Sequence, residues 1–95
     1  MSRIKLTFIP VKNKEILFRK EKDKIIMLNE NSGDPFYLEN TGAFIWEKID
    51  GERNINEIFG CIINSFEGDP KLIKAELFSF LQELEENRLI FLDSK

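Results

Sequence analysis

The residues that could do chemistry are few in this chain, and they lie apart. The sequence has no histidine, which is the commonest general base and metal ligand in proteins. Its one cysteine, Cys61, lies in an apolar stretch where a buried thiol is expected rather than a nucleophile. The glutamates Glu83, Glu85 and Glu86 would need a desolvating pocket to act as acid or base, and the sequence around them indicates none. We therefore expect no catalysis by this chain, no bound metal and no cofactor.

The totals indicate one folded domain that spans residues 1–95. The chain is 42% hydrophobic and 33% charged, a balance typical of globular proteins. Its five glycines are scattered singly, so they form no phosphate-binding loop. The longest uncharged run, residues 58–66, is too short to span a bilayer, and the first residues lack a signal-peptide apolar region. With a single cysteine and hence no internal disulfide, we expect a cytoplasmic protein with no membrane partner.

The net charge of -3 conceals an uneven distribution along the chain. Residues 1–28 hold eight Lys and Arg against three Asp and Glu, whereas residues 29–95 are acidic. A basic first part could meet nucleic acid or an acidic peptide. It could equally be a solvated hairpin, because edge strands commonly carry lysine to prevent aggregation.

The first half of the sequence predicts strands. Residues 4–8 alternate apolar and polar side chains before Pro10, which predicts a first strand there. Residues 15–20 and 24–29 flank a short charged loop and predict a hairpin. After a turn-forming stretch, residues 35–38 predict a short further strand.

The second half predicts three helices, each with a capping residue in front of an apolar stripe. The caps are Asn40 or Thr41, then Asn54, then Asp69. Glu57 has the spacing of a capping box with Asn54, and Pro70 suits the first position of the third helix. A final strand is predicted over residues 89–92. The order predicts an α+β fold of the winged helix-turn-helix type, with a three-stranded antiparallel sheet followed by three helices.

The predicted sheet carries apolar side chains on both faces. Residues 25–28 and 36–38 do not alternate, whereas a sheet with one solvated face should. One face would pack on the helices, and the other could be covered by residues 4–9, by a second copy in a homodimer, or by a peptide. If the strand over residues 35–38 lies at the edge, its free backbone groups could pair with an extended peptide.

The third helix offers a flank beside that strand. Lys74, Phe78 and Glu85 project next to its buried stripe, so Phe78 is either an aromatic anchor for a partner or a core residue at the margin of the stripe. Nucleic acid is a poor fit for this helix, because Lys71 and Lys74 are outnumbered by four glutamates. A nucleic-acid binder with this fold would have to use the basic hairpin in place of the third helix. A winged-helix nucleic-acid binder of that kind is the alternative function.

Two segments resemble the PqqD-like family. Residues 38–46 (LENTGAFIW) follow the family pattern Leu-Asn-x-Thr-Gly/Ala-x-x-Ile-Trp, and residues 49–58 (IDGERNINEI) follow Leu-Asp-Gly-x-x-Thr-Val-x-x-Ile. The third helix and the ending match as well, so that the likeness covers about residues 15–92. The matching positions there are Asp69, Pro70, Ile73, Glu76, Leu77, Phe80, Leu81, Leu84, Leu89 and Ile90.

The resemblance implies a peptide-recognition element without catalysis of its own. Such domains bind the leader segment of a ribosomally made precursor peptide as an added strand and present it to a modifying enzyme. That enzyme is a radical S-adenosylmethionine enzyme in the quinone-cofactor (PQQ) pathway, and lasso-peptide pathways use similar standalone proteins. Carried over by position, the implied peptide-binding residues are Phe36, Tyr37, Leu38, Lys74, Glu76, Leu77, Phe78 and Leu81.

Two positions depart from the family pattern. Glu39 replaces the usual Asn, with Asn40 one place later, so we expect the first helix to be capped differently. Arg88 replaces the usual Gly before the closing Leu, so we expect Asn87 to take the left-handed conformation that ends the third helix.

Overall fold

A computed structural model describes residues 4–30 and 32–94. These residues form three helices and two small antiparallel sheets. The elements in chain order are β1 Ile9–Lys12, β2 Ile16–Glu21, β3 Lys24–Asn29, β4 Pro35–Glu39, α1 Thr41–Lys48, α2 Ile55–Ser65, α3 Pro70–Glu86 and β5 Ile90–Asp93. Strands β2, β3 and β4 form one sheet in that order, and β1 pairs with β5 in the other. The predicted three-stranded sheet followed by three helices is confirmed.

The three-stranded sheet carries apolar side chains on both faces, as its lack of alternation predicted, and one of these faces is buried while the other is open. Residues paired across antiparallel strands share a face, and Ile25 lies opposite Leu38 while Met27 lies opposite Phe36. Ile25, Met27 and Leu38 are buried against the helices. The opposite face carries Leu17 and Tyr37, which are 55% and 64% exposed. A homodimer that covers this outer face stays a prediction.

The helix starts follow the local signals closely. Asn54 and Glu57 form a complete capping box, because each side chain accepts a hydrogen bond from the other's backbone N–H at 2.9 Å. Asp69 caps α3 by accepting from the Lys71 N–H at 2.9 Å, with Pro70 behind it. Asn40 occupies the N-cap position of α1, but its side chain makes no capping bond there.

The N-terminal strand was predicted in the wrong place. Residues 4–8 are not a strand; their carbonyls instead accept the first free N–H groups of α2, with Phe8 O bonded to Ile55 N and Leu6 O to Asn56 N. These bonds satisfy donors that a helix start leaves without partners. The strand begins at Ile9 and includes Pro10, which a two-stranded ribbon tolerates because each strand has a free edge. Residues 4–8 therefore do not cover the outer face of the β2–β4 sheet.

The end of α3 also differs from the prediction. Asn87 has φ -91° and is the C-cap, whereas Arg88 takes the left-handed conformation at φ 60°. The Leu89 N–H bonds Leu84 O and the Arg88 N–H bonds Glu85 O, which together form a complete Schellman motif. The motif places the left-handed residue at the position where the family usually has Gly. Arg88 is therefore a non-glycine residue in a backbone conformation that favours glycine.

Replacing Arg88 by Gly should therefore stabilise the protein. The left-handed conformation costs an ordinary residue about 1–2 kcal/mol, while glycine adds about 0.5–1 kcal/mol of backbone entropy to the unfolded chain. We expect Arg88→Gly to raise the free energy of unfolding by about 0.5–1 kcal/mol in urea denaturation. Asn87→Gly is the matched control and should destabilise, since it relieves no strain and removes the bond from Asn87 Nδ2 to Glu83 O. A lower urea midpoint for Arg88→Gly would refute the strain argument.

The core centres on Trp46 of α1. Its side chain is fully buried, and the Phe18 ring packs edge-on against it with ring centres 5.5 Å apart. The ammonium of Lys12 lies 4.9 Å from the centres of both rings, and partial burial lowers the pKa of Lys12. Trp46 Nε1 is buried without a hydrogen-bond partner among the described residues. This residue fixes α1 beneath the sheet and so fixes where β4 turns into the helix.

Candidate functional site

Strand β4 is an edge strand, and its outward backbone groups pair with no other strand of the described residues. Its one paired neighbour among the described residues is β3. The Asn29 N–H donates to Asp34 O at 3.4 Å, and this bond sets which alternate residues of β4 face β3. By that alternation Phe36 and Leu38 bond β3, and the N–H and C=O of Tyr37 point away from the sheet. Pro35 has no N–H to offer, which is typical of an edge.

The side chains of β4 divide between the two faces of the sheet. Leu38 is 8% exposed and belongs to the core, and Phe36 is half-buried and packs against the core. Tyr37 is the most open of the large apolar side chains that the structure describes, and it stands on the outer face. A partner strand on β4 would therefore meet the backbone of Tyr37 and run beside its ring.

Helix α3 lies beside both ends of β4 and runs in the opposite direction. At the end of β4, a Cβ placed on Gly42 would lie 3.4 Å from the Phe80 ring and 3.8 Å from the Leu38 Cβ. At the start of β4, Pro35 and Phe36 line one pocket together with Asn87. We call the space between these two elements the β4–α3 cleft. The arrangement holds a free strand edge beside a helix, as peptide capture by strand addition requires.

The helix side of the cleft is a series of positions that share one face. Glu76, Phe80, Glu83 and Asn87 recur at spacings of four, three and four residues, so they lie along one side of α3. None of Phe80, Glu83 and Asn87 was predicted as a binding residue from the sequence. Their spacing beside the buried stripe was visible, but which flank of the helix faces β4 was not.

The structure distributes the predicted helix residues differently. Glu76 is exposed beside the cleft, whereas Leu77 and Leu81 are 1% and 0% exposed and support the core. Phe78 lies two residues from Phe80, which places it about 200° around the helix axis and on the opposite flank. Phe78 and Lys74 are half-buried there, and the Phe78 ring packs against the core. The aromatic side chain of α3 beside β4 is therefore Phe80.

The basic hairpin that could have served as a nucleic-acid wing has most of its charge paired. Arg19 lies 3.0 Å from Glu21, and Lys24 lies 3.5 Å from Glu39. Lys20 bonds Glu47, and that hydrogen bond is the main cause of the lowered pKa of the Glu47 carboxyl. Such exposed pairs add little stability, but they leave a weak positive field for a phosphate backbone.

The described part of the chain shows few other features of chemical sites. Within residues 4–30 and 32–94, no group of three or more Cys, Asp or Glu side chains could hold a metal ion. The sequence predicted a buried Cys61, but this residue is only half-buried. Across the same residues, no helix combines the length and apolar character needed to cross a membrane.

Comparison with known families gives the assignment. Residues 24–90 match the family described as Coenzyme PQQ synthesis protein D (PqqD). The chain belongs to the PqqD family. The matched residues begin with β3 and end at the first residue of β5, so they include β4, α3 and the cleft between them. The PqqD resemblance drawn from residues 38–58 is thereby confirmed.

Solved structures support the PqqD-type fold. One is described as TbiB1 in complex with the TbiA(beta) leader peptide, with a TM-score of 0.79 and 21% identity over 84% of this chain and 93% of that one. Another is described as lasso peptide synthetase B1 complexed with the leader peptide, with a TM-score of 0.77 and 16% identity over 86% and 96%. No curated protein matches this chain. At these identities the two likenesses establish the fold.

Proposed function

We propose that this protein binds the leader segment of a ribosomally made precursor peptide and presents it to a modifying enzyme in the cytoplasm. The free edge of β4 beside α3 is the observation that carries the proposal. Family membership supports it, and so do the two similar structures, both of which are described as holding a leader peptide. The partner is a peptide-modifying enzyme, such as a radical S-adenosylmethionine enzyme or a lasso-pathway protease, and we assign no catalytic step to this chain.

Binding divides into an alignment part and a selection part. The outward N–H and C=O of Tyr37 would pair with the peptide backbone and set its register without reading its sequence. Alternate side chains of the peptide would then enter the β4–α3 cleft between Phe36 and Phe80. Holding the leader raises the effective concentration of the attached core peptide near the enzyme, so the chain assists catalysis without performing it.

The proposed site keeps part of the set implied by the resemblance and adds to it. Phe36, Tyr37, Leu38, Glu76 and Leu77 lie on or behind the cleft, and Phe80, Glu83 and Asn87 join them. Lys74, Phe78 and Leu81 lie on the far flank of α3 or in the core, so we give them a supporting role.

Nucleic-acid binding is disfavoured by charge. The cations Arg19, Lys20 and Lys24 of the hairpin are paired with carboxylates, and α3 carries four glutamates against two lysines. A helix with that balance is repelled by the phosphate backbone.

A titration with a synthetic leader peptide tests the function. The peptide is taken from the nearest precursor-like reading frame beside the gene, and binding is followed by backbone NMR shifts. We expect saturable shifts concentrated in β4, in Phe80 and its cleft neighbours on α3, and at Gly42. The absence of shifts with leader, together with shifts over residues 19–24 on adding duplex DNA, would replace this function with the nucleic-acid alternative.

Two phenylalanines on α3 give a matched test of the cleft. Both Phe78 and Phe80 are half-buried, so replacement of either by Ala should cost a similar amount of stability, about 1–3 kcal/mol. We expect Phe80→Ala to weaken leader binding about tenfold, because it removes an aromatic contact from the cleft. Phe78→Ala should change the affinity less than about twofold. Fluorescence anisotropy with a labelled leader measures both affinities, after circular dichroism has shown that each variant is folded. Equal losses of affinity in the two variants would mean that the peptide does not bind on the Phe80 side of α3.

A further inference from the structure

A second groove continues the β4–α3 cleft past the end of β4. It lies between the start of α1, the end of α2 and the first turns of α3, and it has a volume of about 380 Å3. Its walls include Phe66, Leu72, Ile73 and Phe80. Leu72 is 62% exposed and Phe66 36% exposed, although both are large apolar side chains. We call this space the interhelical groove; it offers apolar surface that the described chain does not cover.

The interhelical groove is continuous with the proposed strand-addition edge. Thr41 and Gly42 line it, and they follow the end of β4 with only Asn40 between. Phe80 borders both spaces, because a Cβ placed on Gly42 would lie 3.4 Å from the Phe80 ring and 3.8 Å from the Leu38 Cβ. An extended peptide advances about 3.3 Å per residue, so one or two residues beyond those paired with β4 would reach the groove.

The charges around the groove all have one sign. Glu67, Asp69 and Glu76 line it, and its lining contains no Lys or Arg. One oxygen of Asp69 is engaged in capping α3. In the part of the chain that the structure describes, Glu67 and Glu76 have no ion-pair partner. A cationic side chain would complement this rim, and an acidic one would be repelled.

We propose that the interhelical groove binds a basic, apolar segment of the leader peptide, adjacent to the residues that pair with β4. One aliphatic or aromatic side chain enters between Leu72 and Phe66, and a Lys or Arg next to it faces Glu67 and Glu76. In a strand added antiparallel to β4 this segment lies N-terminal to the paired residues. The inference rests on the proposed function and names the class of leader that the site selects.

Selection from a random peptide library tests this specificity. An mRNA-displayed library of 14-residue peptides is selected on the folded protein, and the enriched sequences are read. We expect an extended β-prone stretch flanked on one side by an apolar residue next to Lys or Arg. Enriched peptides that carry no basic bias at any flank would refute the inference while leaving strand addition intact.

Variants of the groove separate its two contributions. With an enriched peptide, Leu72→Ser should weaken binding about fivefold, since Leu72 is exposed and its loss should not unfold the chain. Leu17→Ser is the matched control, because Leu17 is similarly exposed on the outer sheet face, and it should leave the affinity unchanged. Glu67→Lys should weaken binding about fivefold through repulsion. Glu52→Lys makes the same charge change on the α1–α2 loop and should have little effect.

The two levels of the proposal fail in different ways. If Leu72→Ser and Glu67→Lys both bind the enriched peptide as tightly as wild type, while blocking the β4 edge still abolishes binding, the role of the interhelical groove is overturned and strand addition stands. No enrichment over a bait-free selection, or peptides that bind regardless of the β4 edge, would overturn the proposed function itself. Replacing the Lys of the enriched peptide by Gln should weaken its binding to the wild-type protein about fivefold. The same replacement should not weaken its binding to the Glu67→Lys variant.

Discussion

Tyr37→Pro should reduce leader affinity by about tenfold or more while the protein stays folded. The N–H of Tyr37 points away from β3, so proline removes no bond of the sheet and meets solvent at an edge that tolerates it. It does remove the donor at the centre of β4 on which an added strand depends. A lost backbone hydrogen bond costs about 0.5–1.5 kcal/mol, and the proline ring in addition obstructs close approach of the peptide.

The control for this change is Tyr37→Thr. Threonine keeps the N–H and suits a strand, so it isolates the backbone contribution from the loss of the ring. We expect Tyr37→Thr to keep most of the affinity and Tyr37→Pro to lose it, as measured by calorimetric titration with the leader peptide. Equal affinities for the two variants, each shown to be folded by circular dichroism, would mean that the peptide does not pair with β4.

Trp46→Ala should cause a large loss of stability. The side chain is fully buried, and removing a buried Trp costs about 3–5 kcal/mol. A domain of this length is stable by only about 5–15 kcal/mol, so much of its stability would be lost. The melting temperature should fall by at least about 12 °C, since each kcal/mol corresponds to about 4–8 °C in a domain of this size.

Trp46→Phe separates packing from the indole N–H. Phenylalanine keeps an aromatic ring against Phe18 and removes the Nε1 donor, which has no partner among the described residues. Leaving such a donor unsatisfied costs about 1–3 kcal/mol, and its removal offsets part of the lost volume. We expect Trp46→Phe to lie within about 1 kcal/mol of wild type by thermal circular dichroism. If Trp46→Ala were equally mild, Trp46 would not be the centre of the core.

Where residues a few positions apart act on one another, the sequence was sufficient. The capping box of Asn54 and Glu57 and the Asp69–Pro70 start of α3 are complete within four residues, and both are present as predicted. The hairpin of β2 and β3 follows from apolar runs joined by a short charged loop. The family pattern in residues 38–58 is local in the same sense, which is why the sequence indicated the function class.

Where distant segments meet, only the tertiary structure decided. Residues 4–8 alternate like a strand, but their carbonyls bond the start of α2, some fifty residues away in sequence. Arg88, and not Asn87, takes the left-handed conformation that ends α3, because Leu89 must leave the helix toward β5. Asn13 Nδ2 donates a hydrogen bond to the Arg88 carbonyl at 2.7 Å. Helical periodicity gave the buried stripe of α3 but not which margin faces β4. That margin was fixed by the packing of Phe80 against Gly42, a contact between elements that no local spacing encodes.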